Sequence, residues 1–488
     1  MKKFKRETKG ITLVALVITI IILLILAGIV ISSLTGENGL ITRAKQARDE
    51  TEEAQREEQD RLAELEQLLN NNMVNEDQFN EEKQVNAPKL TTSSNSREDT
   101  GLIPVKWNGS NWVVCSEDDP GWYNYSAESI QTEDGQTVPA MTWANAMLSD
   151  GTLKKGTAKP GDIVPDTEEG SMFVWIPRYA YSIDEYKTQG PADSANGTTQ
   201  GITTVEFLKG NTNTGSSGTE YGTDYNPDEV NSGDSTPMIV HPAFTFGGTN
   251  LTGIWVAKFE ASMAEENNNT TANNNKTDKT IKIVPNAETW RYIQVGNIFT
   301  NCLNMKDNSI YQMASGTNSH LLKNNEWGAV AYLAASQYGV IPAKNALVES
   351  YTEDGSTKYH EYAAAKDYKA NTNQSTTGNV SGIYDMNGGA WEYVAAYWDN
   401  GSSYLSGQGT STYFPSNKLD STYSAYWDRY ESSQYEIENG ANIWNNMKTT
   451  EGNKGNYQIA KNRVDLMRNI KGDAMYEAIN EWSYYGRY

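Results

Sequence analysis

One stretch near the N-terminus constrains this chain more than any other. From Ile11 to Ile31 it runs ITLVALVITIIILLILAGIVI without a charged residue, directly after the leader MKKFKRETKG. In that leader Lys2, Lys3, Lys5, Arg6 and Lys9 face one acid, Glu7. As a helix the uncharged run would span about 32 Å, close to the hydrocarbon thickness of a bilayer. It exceeds the apolar core of a removable signal peptide, and no A-x-A site follows it. The sequence therefore predicts a transmembrane helix over 11–32, with the lipid bilayer as partner. The basic flank belongs inside the cell and the rest of the chain outside, as a single-pass membrane protein.

The texture changes twice beyond it. Residues 40–72 lack Gly and Pro and carry i,i+4 charge pairs such as Glu52 with Arg56 and Glu57 with Arg61. With the short stripe Leu62, Leu65, Leu69, this predicts a polar stalk helix within 33–72. Residues 73–100, rich in Asn, Glu and Ser, read as a linker. From 101 to 488 short apolar runs alternate with Gly, Asn and Pro, the pattern of a loop-rich α+β domain. Strands are expected in MFVWIPRYAYSI at 172–183 and GIWVAKFEAS at 253–262. A helix is expected in 324–339, with Trp327, Val330, Ala331 and Ala334 on one face. The tracts 187–237 and 264–280, nearly free of large apolar residues, predict long exposed loops.

Composition narrows the function. Asp and Glu number 62 against 40 Lys and Arg, a formal charge of -22, which disfavours a nucleic-acid partner. Three His and two Cys leave no zinc-site pattern, and one disulfide at most, Cys115 with Cys302. His241, His320 and His360 stand in no recognisable catalytic motif, and no carboxylate pair is marked out, so no catalytic residue is assigned. The chain holds 13 Trp and 29 Tyr, and residues 397–435 concentrate such rings among Ser, Asn and Gly. That composition suits a recognition surface, with Trp398, Tyr423, Trp427 and Tyr430 as candidates.

Two resemblances follow from these residues. Lys9-Gly10-Ile11-Thr12-Leu13 and the aliphatic run resemble the class III signal of type IV pilins and pseudopilins over roughly residues 1–32. The resemblance implies a prepilin peptidase that removes the leader 1–10 between Gly10 and Ile11 and methylates Ile11. It also implies other pilin subunits as partners. Ala15 stands where that family usually has Glu, so the usual neutralisation of a neighbouring subunit's amine is missing.

The second resemblance lies in the large domain. Glu326-Trp327, followed by Gly382, Tyr384, Asp385, Met386, Gly388, Trp391 and Glu392, is similar to the formylglycine-generating-enzyme branch of the C-type-lectin fold. It covers roughly 101–400 and implies a lectin-like head. Gly382 and Gly388 would permit turns, Trp391 would fill a core pocket, and Asp385 and Glu392 would accept backbone N–H groups. The branch's late cysteine pair is absent, since no Cys follows Cys302. The EPN, QPD and WND tripeptides of calcium-dependent sugar binding are absent too, and Trp398-Asp399-Asn400 holds the last set in another order. Ca2+ is therefore expected only as a structural ion. The family's closing Arg-Gly-Gly strand finds no match in the C-terminal EWSYYGRY. The expectation is a membrane-anchored, pilin-like surface protein whose lectin-fold head binds a ligand. The alternative is an anchored enzyme on the same fold acting on glycan or peptide.

Overall fold

The computed structural model describes residues 13–35, 87–92, 99–133, 135–166, 169–184, 203–226, 229–230, 234–265, 271–343, 345, 348–353, 355–361, 368–390, 392–399, 424–431 and 472. The chain divides into two compact units, Met1–Lys83 and Gln84–Tyr488.

In the first unit the described element is a helix, Leu13–Thr35. Its described side chains, Leu16 to Ile29, are all exposed. The expected membrane-spanning helix over 11–32 is corrected here: among the described residues no helix is long and apolar enough to cross a membrane. The single-pass membrane placement, with the head outside the cell, is withdrawn with it. The leader, the Gly10–Ile11 junction, the side chain of Ala15 and the stalk lie outside the described residues.

The second unit is mixed, with few helices and seven small sheets among the described residues, only one of them parallel. The expected fold, two long helices followed by a head, gives way to this many-sheet body. Its centre is a five-stranded antiparallel sheet in the order 253–257, 172–177, 145–147, 103–107, 112–114. Met172, Val174, Trp175 and Ile176 of MFVWIP are buried, which explains a strand with almost no polar alternation. Leu90, in the stretch read as linker, is buried in the same core.

Chain direction changes at Arg178, between the strands Met172–Pro177 and Tyr179–Ile183. Its guanidinium is almost wholly buried and donates to the carbonyls of Thr212 (2.9 Å) and Phe244 (2.7 Å) and to Asn213 Oδ1 (2.7 Å). Two segments, at 212–213 and 244, are thereby tied to one side chain. Burial lowers this group to about 10, so it remains a cation.

The strand Tyr179–Ile183 centres a three-stranded sheet with Thr203–Phe207 and Ile239–Val240. The strand at 203–207 corrects the expectation of a featureless loop over 187–237. In TTVEF, Thr203, Val205 and Phe207 turn inward, enough to hold a short strand. The Gln337 amide occupies its outer edge, donating to Val205 O at 2.7 Å and accepting from Val205 N at 3.4 Å. An exposed strand edge is thus blocked by a side chain that mimics a peptide. In the second loop tract a short helix forms at Thr271–Asn274.

The helix Asn324–Ala334 packs on this sheet. Tyr181 stacks on Tyr332 with ring centroids 4.8 Å apart, and Tyr179 Oη donates to Ala329 O at 2.6 Å. Val330, Ala331 and Ala334 are buried as the spacing predicts, but Ala329, Tyr332 and Leu333 are buried as well. The helix is an interior one, and its alanines permit close approach on several sides.

Candidate functional site

The signature residues Glu326 and Trp327 begin the 324–334 helix. Glu326 is buried and accepts the backbone N–H of Lys323 at 2.8 Å, closing the first turn. Trp327 is half-buried against the main core. His320 points back at Glu326, with Nε2 3.1 Å from both carboxylate oxygens, while Nδ1 lies 2.7 Å from Asn318 O. Burial alone would lower the His320 pKa. The adjacent Glu326 carboxylate outweighs that and holds it above the ordinary range. Burial likewise opposes ionisation of Glu326, yet His320 and Lys323 keep its carboxyl below the usual range.

A remote segment completes this corner. Residues 428–431 pair in parallel with 396–399, and Asp428 N donates to Ala395 O at 2.9 Å. Asp428 Oδ2 accepts the N–H of Asn325 at 2.7 Å, so the first turn of the helix is capped from 103 residues away. Burial, ahead of the nearby Lys323 that opposes it, pushes the Asp428 carboxyl up to about 6.

Three partly buried rings meet over this cluster. Phe246 lies 5.2 Å from His320 and 5.0 Å from Tyr426, and His320 lies 5.6 Å from Tyr426 between centroids. Tyr426 Oη donates to Asn318 Oδ1 at 3.3 Å. Around the rings Thr245, Gly247, Gly248, Asn250 and Asn318 are exposed, a neutral polar rim.

Of the candidate recognition residues, Trp427 is half-buried, stacked on Phe299 at 4.3 Å and 18°. It therefore acts chiefly as an anchor for its segment. Tyr423 and the side chains of Trp398 and Tyr430 lie outside the described residues. Tyr426, His320 and Phe246 were not singled out as a surface by sequence reasoning. Tyr426 stood among the aromatic residues of 397–435, but nothing local joins it to a ring at 246.

The second signature segment is interior. Gly382 O and Val380 O accept the Lys258 ammonium at 2.9 and 2.6 Å, and Tyr384 N donates to Lys258 O at 2.8 Å. The ammonium sits 5.0 Å from the Trp112 ring and near the rings of Phe259 and Tyr384. Its pKa is driven well below the ordinary range by burial. Sequence reasoning passed over Lys258, whose signal was a lysine at the end of an apolar strand. Tyr384 is buried and donates to Tyr368 O at 3.0 Å, while Met386 is half-buried against the core. Gly388 bridges to Asn345.

Asp385 is buried with φ +64, accepting Asn345 Nδ2 at 2.8 Å and Glu260 N at 3.2 Å. Glu260 is 5% exposed, and its Oε2 accepts Thr289 Oγ1 at 2.7 Å. Burial first, then Asp385 and Glu392, push its carboxyl well above the usual range. Gly389, at φ +69, passes so close that a Cβ there would press on this carboxylate. Glu392 is exposed, and Trp391 lies outside the described residues.

For the expected structural Ca2+ these side chains supply the right donor type but no assembled site. The carboxylates are hard oxygen donors, and Glu260 Oε1 has no hydrogen-bond donor in range. Among the described residues no group of three or more His, Cys, Asp or Glu is placed to hold a metal. Cys115 and Cys302 are both free thiols.

No protein-family model matches the chain, and no curated protein matches it.

Proposed function

We propose that the second unit is a non-catalytic ligand-binding module and that the edge of Phe246, His320 and Tyr426 belongs to its recognition surface. One observation carries this reading: at this edge the groups suited to acid–base chemistry are already engaged, while aromatic area stays partly exposed beside a neutral rim. Both His320 nitrogens face protein acceptors, and Glu326 and Asp428 accept backbone N–H groups. His241 is fully buried. A general base needs a free nitrogen or oxygen within reach of substrate, which none of these four offers. The resemblance of 101–400 to the lectin-fold branch supports the same reading, as does the absence of that branch's cysteine pair. The leader's resemblance to a pilin signal adds processing between Gly10 and Ile11 to the proposal. Ca2+ remains part of the proposal as a structural ion, with no ligand set assigned.

The test is binding of the full chain to an array of neutral and acidic oligosaccharides and short peptides, with Tyr426→Ala as the comparison. Retained binding in Tyr426→Ala, or turnover of an array member, contradicts the proposal.

A further inference from the structure

We propose that Ser424–Glu431 is a proton-dependent strap, fastened across the first turn of the 324–334 helix in mildly acidic solution and loosened in alkaline solution. Hydrogen-bond geometry carries the inference. His320 Nδ1 is 2.7 Å from a carbonyl oxygen, and Nε2 is 3.1 Å from both oxygens of a carboxylate. Both nitrogens therefore face acceptors. A neutral imidazole has one N–H, so one contact would set a lone pair against an oxygen. The doubly protonated ring satisfies both.

The groups facing this corner are His320 and Lys323 from the segment before the helix and Glu326 from the helix itself. The strap adds Asp428 and the Tyr426 phenol. The 295–304 helix adds the Cys302 thiol, which burial raises to about 12 and so keeps neutral. The hairpin bearing Phe246 contributes rings and neutral groups. With His320 charged, two cations balance Glu326 and Asp428. With His320 neutral, the two carboxylates share Lys323 alone and repel one another in a poorly solvated corner.

Loss of the imidazolium acts on the strap at two points. The His320 ring supports Tyr426, and Glu326 lies beside the turn that Asp428 caps. The raised His320 value gives the sign: its stabilisation is complete below the unfolded value of about 6.5 and disappears as pH rises through the folded one. The raised carboxyl of Asp428 acts in the same sense at lower pH, since its ionisation on burial is unfavourable.

The proposal concerns regulation of the aromatic edge described above, and it rests on that reading only for its functional meaning. The experiment involves no ligand, so its failure leaves the binding proposal untouched. Hydrogen–deuterium exchange of the full chain is followed from about pH 5.5 to about pH 8.5, divided by intrinsic rates. Peptides covering 424–431 should lose about tenfold in protection, while 172–183 should not change. His320→Gln should abolish the pH dependence and leave 424–431 weakly protected throughout. Asp428→Asn, which keeps an acceptor oxygen but removes the repelled charge, should flatten it from the protected side. Equal protection at both ends of the range overturns the proposal, and so does an unchanged slope in His320→Gln. If His320→Gln does not fold, the Asp428→Asn slope decides alone.

Discussion

Gly472 makes the sharpest demand on the fold. It is buried, with φ +79, and its N–H donates to Tyr181 Oη at 2.7 Å, across 291 residues of sequence. A Cβ added there would lie 2.6 Å from Pro242 Cδ, closer still to Pro242 Cγ, and 3.0 Å from His241 Cε1. Gly472→Ala therefore combines three costs. An L-residue in the left-handed region costs about 1–2 kcal/mol, overpacking against a ring that cannot retreat costs about 1–3 kcal/mol, and the weakened hydrogen bond costs about 1 kcal/mol. Together they amount to about 3–6 kcal/mol, or more than about a hundredfold in the opening equilibrium of this contact. Exchange protection of the full chain reads it locally, on peptides containing Tyr181 and His241. A hundredfold loss there, with the 103–107 strand less affected, is expected. Wild-type protection in Gly472→Ala would refute the seating of Gly472 on Tyr181 and Pro242.

Further expectations concern other parts of the molecule. His241 is fully buried beside Tyr179 and Tyr181, and burial lowers it to about 3. The unfolded chain therefore binds an extra proton between about pH 6.5 and pH 3, and stability falls with acid across that window by about 4 kcal/mol. Denaturant midpoints should show that decline, and His241→Gln should reduce it. Millimolar Ca2+ should raise the melting temperature of the full chain; no shift with Ca2+ or chelator discards the ion. N-terminal sequencing of protein from cells with a prepilin peptidase should begin at Ile11, and an intact Met1 terminus discards the pilin resemblance.

Parts of this fold were legible in sequence because their determinants are local. MFVWIPRYAYSI and GIWVAKFEAS read as strands from β-branched and aromatic runs, and strands occur within them at 172–177, 179–183 and 253–257. The helix at 324–334 was visible from its spacing and from Glu326, which closes its own first turn. What remained hidden depends on distant partners. The Asp428 cap on Asn325, the Gln337 block on the 203–207 edge and the Lys258 contact with 380–382 each join residues more than a hundred positions apart. The strand 203–207 was missed because three inward residues are too few to lift it above a Gly- and Thr-rich surround. The long apolar run dominated the reading of the N-terminus, yet among the described residues no helix meets the requirement for crossing a membrane.

The central claim is binding without catalysis at the edge of Phe246, His320 and Tyr426. An equilibrium titration of the full chain against the tightest oligosaccharide or peptide from the array, run beside Tyr426→Ala and followed for product, tests it most directly. Removing one aromatic contact from a recognition patch costs about 1.4 kcal/mol or more, at least about tenfold in affinity. The expected result is saturable binding, a tenfold or greater loss in Tyr426→Ala, and ligand recovered intact. Affinity that survives Tyr426→Ala, or ligand recovered as cleaved product, contradicts the account.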